Sequence, residues 1–147
     1  MGDSLYRKVF KTPAETLRGL LAEYIYRYES TSEKPEEFLD DVREREGLSE
    51  EEVDRLRKLI GYYLENEDTI YDHLSNTLVG WRPERLLALD RAAILAGITE
   101  MLAGDGDPER IIYDYGTFAK RFSADKSPSF VMGVLKSFRK RLNGGTE

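Results

Sequence analysis

His73 is the only histidine in the 147-residue chain, and cysteine is absent. Cysteine–histidine catalysis, thiolate metal sites and disulfides are therefore excluded. His73 lies between Asp72 and Leu74 with no nucleophile at a recognisable spacing, so it reads as a structural histidine rather than a general base. The runs Asp40-Asp41 and Glu50-Glu51-Glu52 sit on acidic helix faces or at helix starts, where the helix dipole accounts for them. Gly104-Asp105-Gly106-Asp107-Pro108 holds two aspartates but no EF-hand ligand series, and Asp107 before proline reads as a helix cap. There is no glycine-rich phosphate loop. No cofactor or metal is expected, and the chemistry left to the chain is binding.

The basic residues gather toward the C-terminus. Lys120, Arg121, Phe122 and Lys126 fall close together, and Lys136, Arg139, Lys140 and Arg141 follow. The net charge of −6 conceals an asymmetry: residues 1–109 hold 14 basic against 25 acidic side chains, and residues 110–147 hold 8 against 3. Such a distribution places an anion-binding face on an acidic protein; solvated helix faces of either sign are the alternative.

The elements that must position these residues are all helical. Thr12-Pro13 predicts an N-cap and first helical position, with Leu17, Leu21, Tyr24, Ile25 and Tyr28 on one face and Tyr26 pointing away. Met1 to Lys11 has little periodicity and reads as a loose arm. Pro35 opens a short acidic helix that Gly47 ends, and Ser49 with Glu52 forms a capping box before a helix to Glu65. Asn66 to Asp68 breaks or bends the chain ahead of a further helix toward Gly80. Trp81-Arg82-Pro83 restarts it, and Leu86, Leu87, Ile94, Leu95, Ile98, Met101 and Leu102, with interleaved alanines, predict the most buried helix. Asp107-Pro108 and Pro128 begin the last two. In the final helix Phe130, Val131, Val134, Leu135, Phe138 and Leu142 share one face, and Gly133 predicts a close helix contact. The tail NGGTE reads as disordered.

These readings give an all-α fold of about seven helices, a single domain of two small packed helical bundles at about 12–80 and 81–142. No strand alternation is present. A composition of 40% hydrophobic and 34% charged residues suits a soluble globular protein, and no apolar run reaches the roughly 20 residues of a membrane helix. Without a signal-peptide core at MGDSLYRKVF, the expected compartment is the cytoplasm.

The order Trp81, ERLLALDRAAIL (84–95), Glu100, DPERI (107–111), Phe118-Ala119-Lys120 and FVMGVL (130–135) resembles the C-terminal half of the NusB family of bacterial transcription antitermination factors. The resemblance implies a non-catalytic role, binding box A RNA together with the small-subunit ribosomal protein NusE, within the RNA polymerase antitermination complex. It puts Lys120, Arg121, Phe122 and Lys126 toward RNA, where phosphates need Lys or Arg and unpaired bases an aromatic face. It puts Asp90, Phe130 and Tyr26 toward the partner, Tyr26 matching the aromatic that ends the first-helix motif. Phe122 and Phe130 also fit apolar stripes, so core roles stand beside these. Departures from the family pattern are informative. Ala14, Glu15 and Thr16 stand in its arginine-rich and alanine segment, Glu23 replaces a glutamine, Leu95 an arginine, and Met132 and Tyr113 asparagines. Unless Arg7, Lys8 and Lys11 replace the missing arm, RNA binding is expected to be weak, because affinity follows the number of neutralised phosphates. The second reading keeps the fold as a protein-interaction or dimerisation module.

Overall fold

The computed structural model describes residues 5–10, 12–104 and 106–144, and among them eight α-helices and one 3₁₀ turn. The helices are α1 (Leu5–Val9), α2 (Pro13–Thr31), α3 (Pro35–Glu46), α4 (Glu50–Glu65), α5 (Glu67–Thr77), α6 (Ala88–Ala103), α7 (Pro108–Phe122) and α8 (Ser127–Leu142). Their ends obey local chemistry. Thr12 Oγ1 accepts from Glu15 N–H, Asp107 Oδ2 from Arg110 N–H, and Ser49 and Glu52 complete the reciprocal capping box. Gly47 closes α3 in the left-handed region at φ 64°, where a side chain would be strained. The break after α4 is one residue, Asn66, whose amide nitrogen donates to Tyr62 O while α5 starts at once.

Helix α6 is the axis of the molecule. All its residues from Ala92 to Met101 are buried, and α2, α4, α5, α7 and α8 pack around it. Helix α7 contacts α8 most extensively and also touches α2 and α6. A single set of buried apolar side chains runs from Tyr6 to Phe138.

Three expectations are corrected. Residues 5–9 are helical rather than a loose arm. Tyr6 and Phe10 are both buried and stacked on each other, and they lie so close to Gly19 that a β-carbon there would come within 3 Å of both rings. Polar contacts fix this helix, since Tyr6 N–H donates to Glu46 Oε1 (3.1 Å) and Arg7 donates to Glu46 O and to Glu52 Oε1 (3.1 and 3.0 Å). Residues 1–4 and Lys11 of that arm, Asp105 and the last three residues of NGGTE fall outside the described residues.

Gly133 makes no close contact: it is exposed, with no atom within 4 Å of where its β-carbon would lie. The close approaches belong to Gly97, against Leu135, and Gly116, against Met132, where a β-carbon would be 2.7 and 2.6 Å from the neighbouring side chain. The apolar period of α8 is as expected. Its partners use their own glycines to receive the side chains of α8.

The third correction is at Trp81 to Leu87. Proline initiates only a 3₁₀ turn at Pro83–Arg85, and α6 begins at Ala88. Leu86 is buried as expected, but Leu87 is 54% exposed.

Candidate nucleic-acid and partner interface

The α7–α8 turn brings together the predicted site residues. Lys120, Arg121 and Lys126 are all exposed, with Lys120 and Arg121 in the last turn of α7 and Lys126 immediately before α8. Lys120 and Arg121 complement the dipole at the C-terminus of α7, whereas Lys126 caps the N-terminus of α8, where the dipole opposes a cation.

The turn is tied to α6 through hydroxyls. Ser123 Oγ donates to Asp90 Oδ1 (2.6 Å), Ser127 Oγ donates to Ser123 Oγ (3.1 Å), and Ala124 N–H donates to Ser127 Oγ (3.2 Å). Asp90, expected to face a partner, is only 5% exposed, and its carboxylate is engaged by Ser123. Its direct effect is to orient the turn that presents the cations.

The remaining predicted residues line two shallow grooves. Tyr26, 40% exposed, and Phe122 border a hollow of about 380 Å³ with Leu5 and Leu89. Phe122 is half-buried and meets Tyr6 edge-on (centroids 5.5 Å) and Phe118 (5.1 Å), so part of its ring belongs to the core. Phe130 lines a second hollow of about 450 Å³ with Trp81, Leu87, Asp90 and Lys126. The consecutive residues Leu89 and Asp90 divide the two along α6.

Sequence reasoning missed Trp81 and Leu87 as site residues; they are 57% and 54% exposed beside Phe130. The available signal was their position in a proline-containing connection. Helical periodicity does not apply there, so nothing obliges a large apolar side chain to turn inward.

Helix α7 is held by a buried charge network. Arg18 on α2 donates to Glu100 on α6 (3.1 Å) and Asp114 on α7 (2.8 Å), and Tyr115 OH donates to Glu100. Arg110 bridges Glu15 and Asp114. Burial raises the Asp114 carboxyl above its usual range despite the opposing pull of Arg18 and Arg110. Burial likewise drives the Tyr115 phenol up, with the Glu100 charge acting in the same direction. Among the described residues no group of three or more His, Asp or Glu could hold a metal, and no helix is long and apolar enough to cross a membrane.

The NusB family model matches residues 15–140. The chain belongs to the NusB family. The transcription antitermination protein NusB of a Nitratiruptor species is 28% identical over 90% of this chain and 93% of its own length. The Bacillus pumilus protein of the same name is 33% identical over 65% of this chain and 74% of its own. Among solved structures, antitermination factors NusB and NusE in complex with double-stranded RNA include a chain that superposes with a TM-score of 0.80 at 22% identity, covering 90% of this chain and 99% of that one. At that identity the likeness concerns the NusB fold.

In this NusB-family chain the residues departing from the family pattern have definite places. Glu15 is buried and bonded to Arg110, and Leu95 is fully buried in α6. The guanidinium of Arg7 donates to Glu46 O and Glu52 Oε1, so it is held against α3 and α4.

Proposed function

We propose that this chain is a non-catalytic transcription antitermination factor of the cytoplasm, binding box A-type RNA together with NusE in the RNA polymerase antitermination complex. The observation that carries the reading is the exposed cluster Lys120, Arg121 and Lys126 on an anchored α7–α8 turn, flanked by two apolar hollows of a NusB fold. The cations meet phosphates. Trp81, Leu87 and Phe130 offer an apolar surface to NusE, with Asp90 beneath them, and Tyr26 and Phe122 border the neighbouring hollow. The two-bundle division at about residue 80 is part of the same reading.

RNA binding by the isolated chain should be weak, because Arg7 is paired internally and Glu15 stands where the family has its basic segment. That observation favours, as a second reading, a NusB-fold interaction module that keeps the protein partner and has lost most RNA binding.

The deciding experiment titrates the chain, with and without the NusE of the same organism, against box A RNA over a salt series. Binding that requires NusE and falls steeply with salt supports the first reading. NusE binding without RNA binding supports the second, and binding to neither rejects both.

A further inference from the structure

A third hollow, of about 600 Å³, lies between α7 and the C-terminal half of α8, apart from the two at the α7–α8 turn. Ile112, Tyr113 and Met132 supply its apolar lining, Lys136, Arg139 and Lys140 its cations, and Glu109 a single carboxylate at its edge against three cations. Tyr113 is 55% exposed, and the Arg110 guanidinium carbon lies 5.1 Å from its ring centroid. Arg110 is itself held by Glu15 and Asp114, so the ring is backed by a fixed cation. Among the described residues Lys136 and Lys140 have no acidic partner. Arg139 has a loose approach to Glu109 at 3.8 Å, and the Glu109 side chain is 81% exposed.

A flat ring beside clustered cations is the arrangement used for single strands: charge follows the backbone and an aromatic face takes a base. We propose that this groove is a subsite for single-stranded RNA, with one base stacked on Tyr113 and the adjoining phosphates met by Lys136, Arg139 and Lys140. The inference rests on the RNA-binding reading above and names a part of the chain that performs it.

Helical geometry supports the nucleic acid over an acidic peptide. Positions 136, 139 and 140 fall within about 6 Å along the helix axis, so the ligand must bring several negative charges into one helical turn. A strand charged at every nucleotide does so without a special sequence. Tyr113 and Lys120, seven residues apart, share one face of α7 and lie about 10 Å apart along it. A strand that meets Lys120 can therefore continue to Tyr113. Because every base has a stacking face, this contact adds affinity with little base preference.

The test measures fluorescence anisotropy of labelled single-stranded box A RNA with the full-length chain and NusE, over a salt series. Tyr113→Ala is expected to weaken binding about tenfold with the salt slope unchanged, while Tyr113→Phe keeps wild-type affinity. Lys136→Gln/Lys140→Gln should flatten the log–log salt slope by about 1.4, two phosphate contacts' worth. NusE binding and circular dichroism should be unchanged in each variant. Wild-type affinity of Tyr113→Ala, while the native chain binds RNA, overturns the subsite and leaves the proposed function standing. Displacement of bound polyglutamate, but not RNA, by these substitutions also overturns it and assigns the groove to an acidic protein. Failure of the native chain and NusE to bind any RNA overturns both proposals.

Discussion

Gly133 and Glu23 show how far a single residue can be read. Glycine in a helix interior invites the inference of a close contact, yet Gly133 faces solvent with nothing nearby. Its helix therefore carries the entropic cost of glycine without a packing return. Gly133→Ala should raise stability by about 0.5–1 kcal/mol, seen as a higher urea midpoint at unchanged m-value. Glu23 takes hydrogen bonds from both Arg27 and Arg45. Burial alone would raise its carboxyl, but the Arg45 hydrogen bonds and charge, with Tyr6 and Arg27, outweigh it and hold the group below its ordinary range. A depressed folded pKa contributes stability above the unfolded value, near pH 4.3, and loses it as pH falls through the folded value. The stability gap between wild type and Glu23→Gln should therefore be full at pH 7 and shrink on acidification below about pH 5, as urea melts at successive pH values would register. A gap that stays constant to about pH 3 would refute the assignment. The role of Glu23 was hidden in the sequence because Arg45 is on another helix.

At the scale of elements, the α7–α8 turn carries the proposed RNA contacts. Its cations were legible from their order, since charge and proximity in the chain suffice to identify a basic cluster. Its orientation was not, because the anchor is Asp90, 33 residues from Ser123. Ser123→Ala should strip Asp90 Oδ1 of its donor and cost about 1–3 kcal/mol, the range for a buried polar group left unpaired. It should also weaken NusE–RNA assembly without removing a charge, which a comparison with Lys120→Gln by salt slope would distinguish. Helix α1 makes the complementary point. Five residues carry too little periodicity to announce a helix, and Leu5–Val9 forms because Tyr6 and Phe10 find a surface across Gly19 and Arg7 finds Glu46 and Glu52.

Across the whole molecule, Arg18 joins α2, α6 and α7 through one side chain that is 8% exposed. Arg18→Met should destabilise the protein by about 3–5 kcal/mol, because it removes the cation shared by two buried carboxylates. With total stabilities of roughly 5–15 kcal/mol, such a loss should appear as a large drop in Tm. Adding Glu100→Gln to that variant should recover part of the loss in a double-mutant cycle, since one uncompensated charge is then gone. Caps, the proline starts of α2, α3, α7 and α8, the apolar stripes of α2 to α8 and the basic C-terminal segment were determined by the sequence itself. They depend on residues three or four apart, or on charge, and those relations are written in chain order. Tertiary structure alone decided that Gly97 and Gly116 receive α8, that Arg7 is spent internally, that Asp90 anchors a turn, and that Trp81 and Leu87 stay exposed beside Phe130. Each of these depends on which distant surface a side chain meets, and burial and pairing energies act across space, where sequence spacing gives no measure of distance.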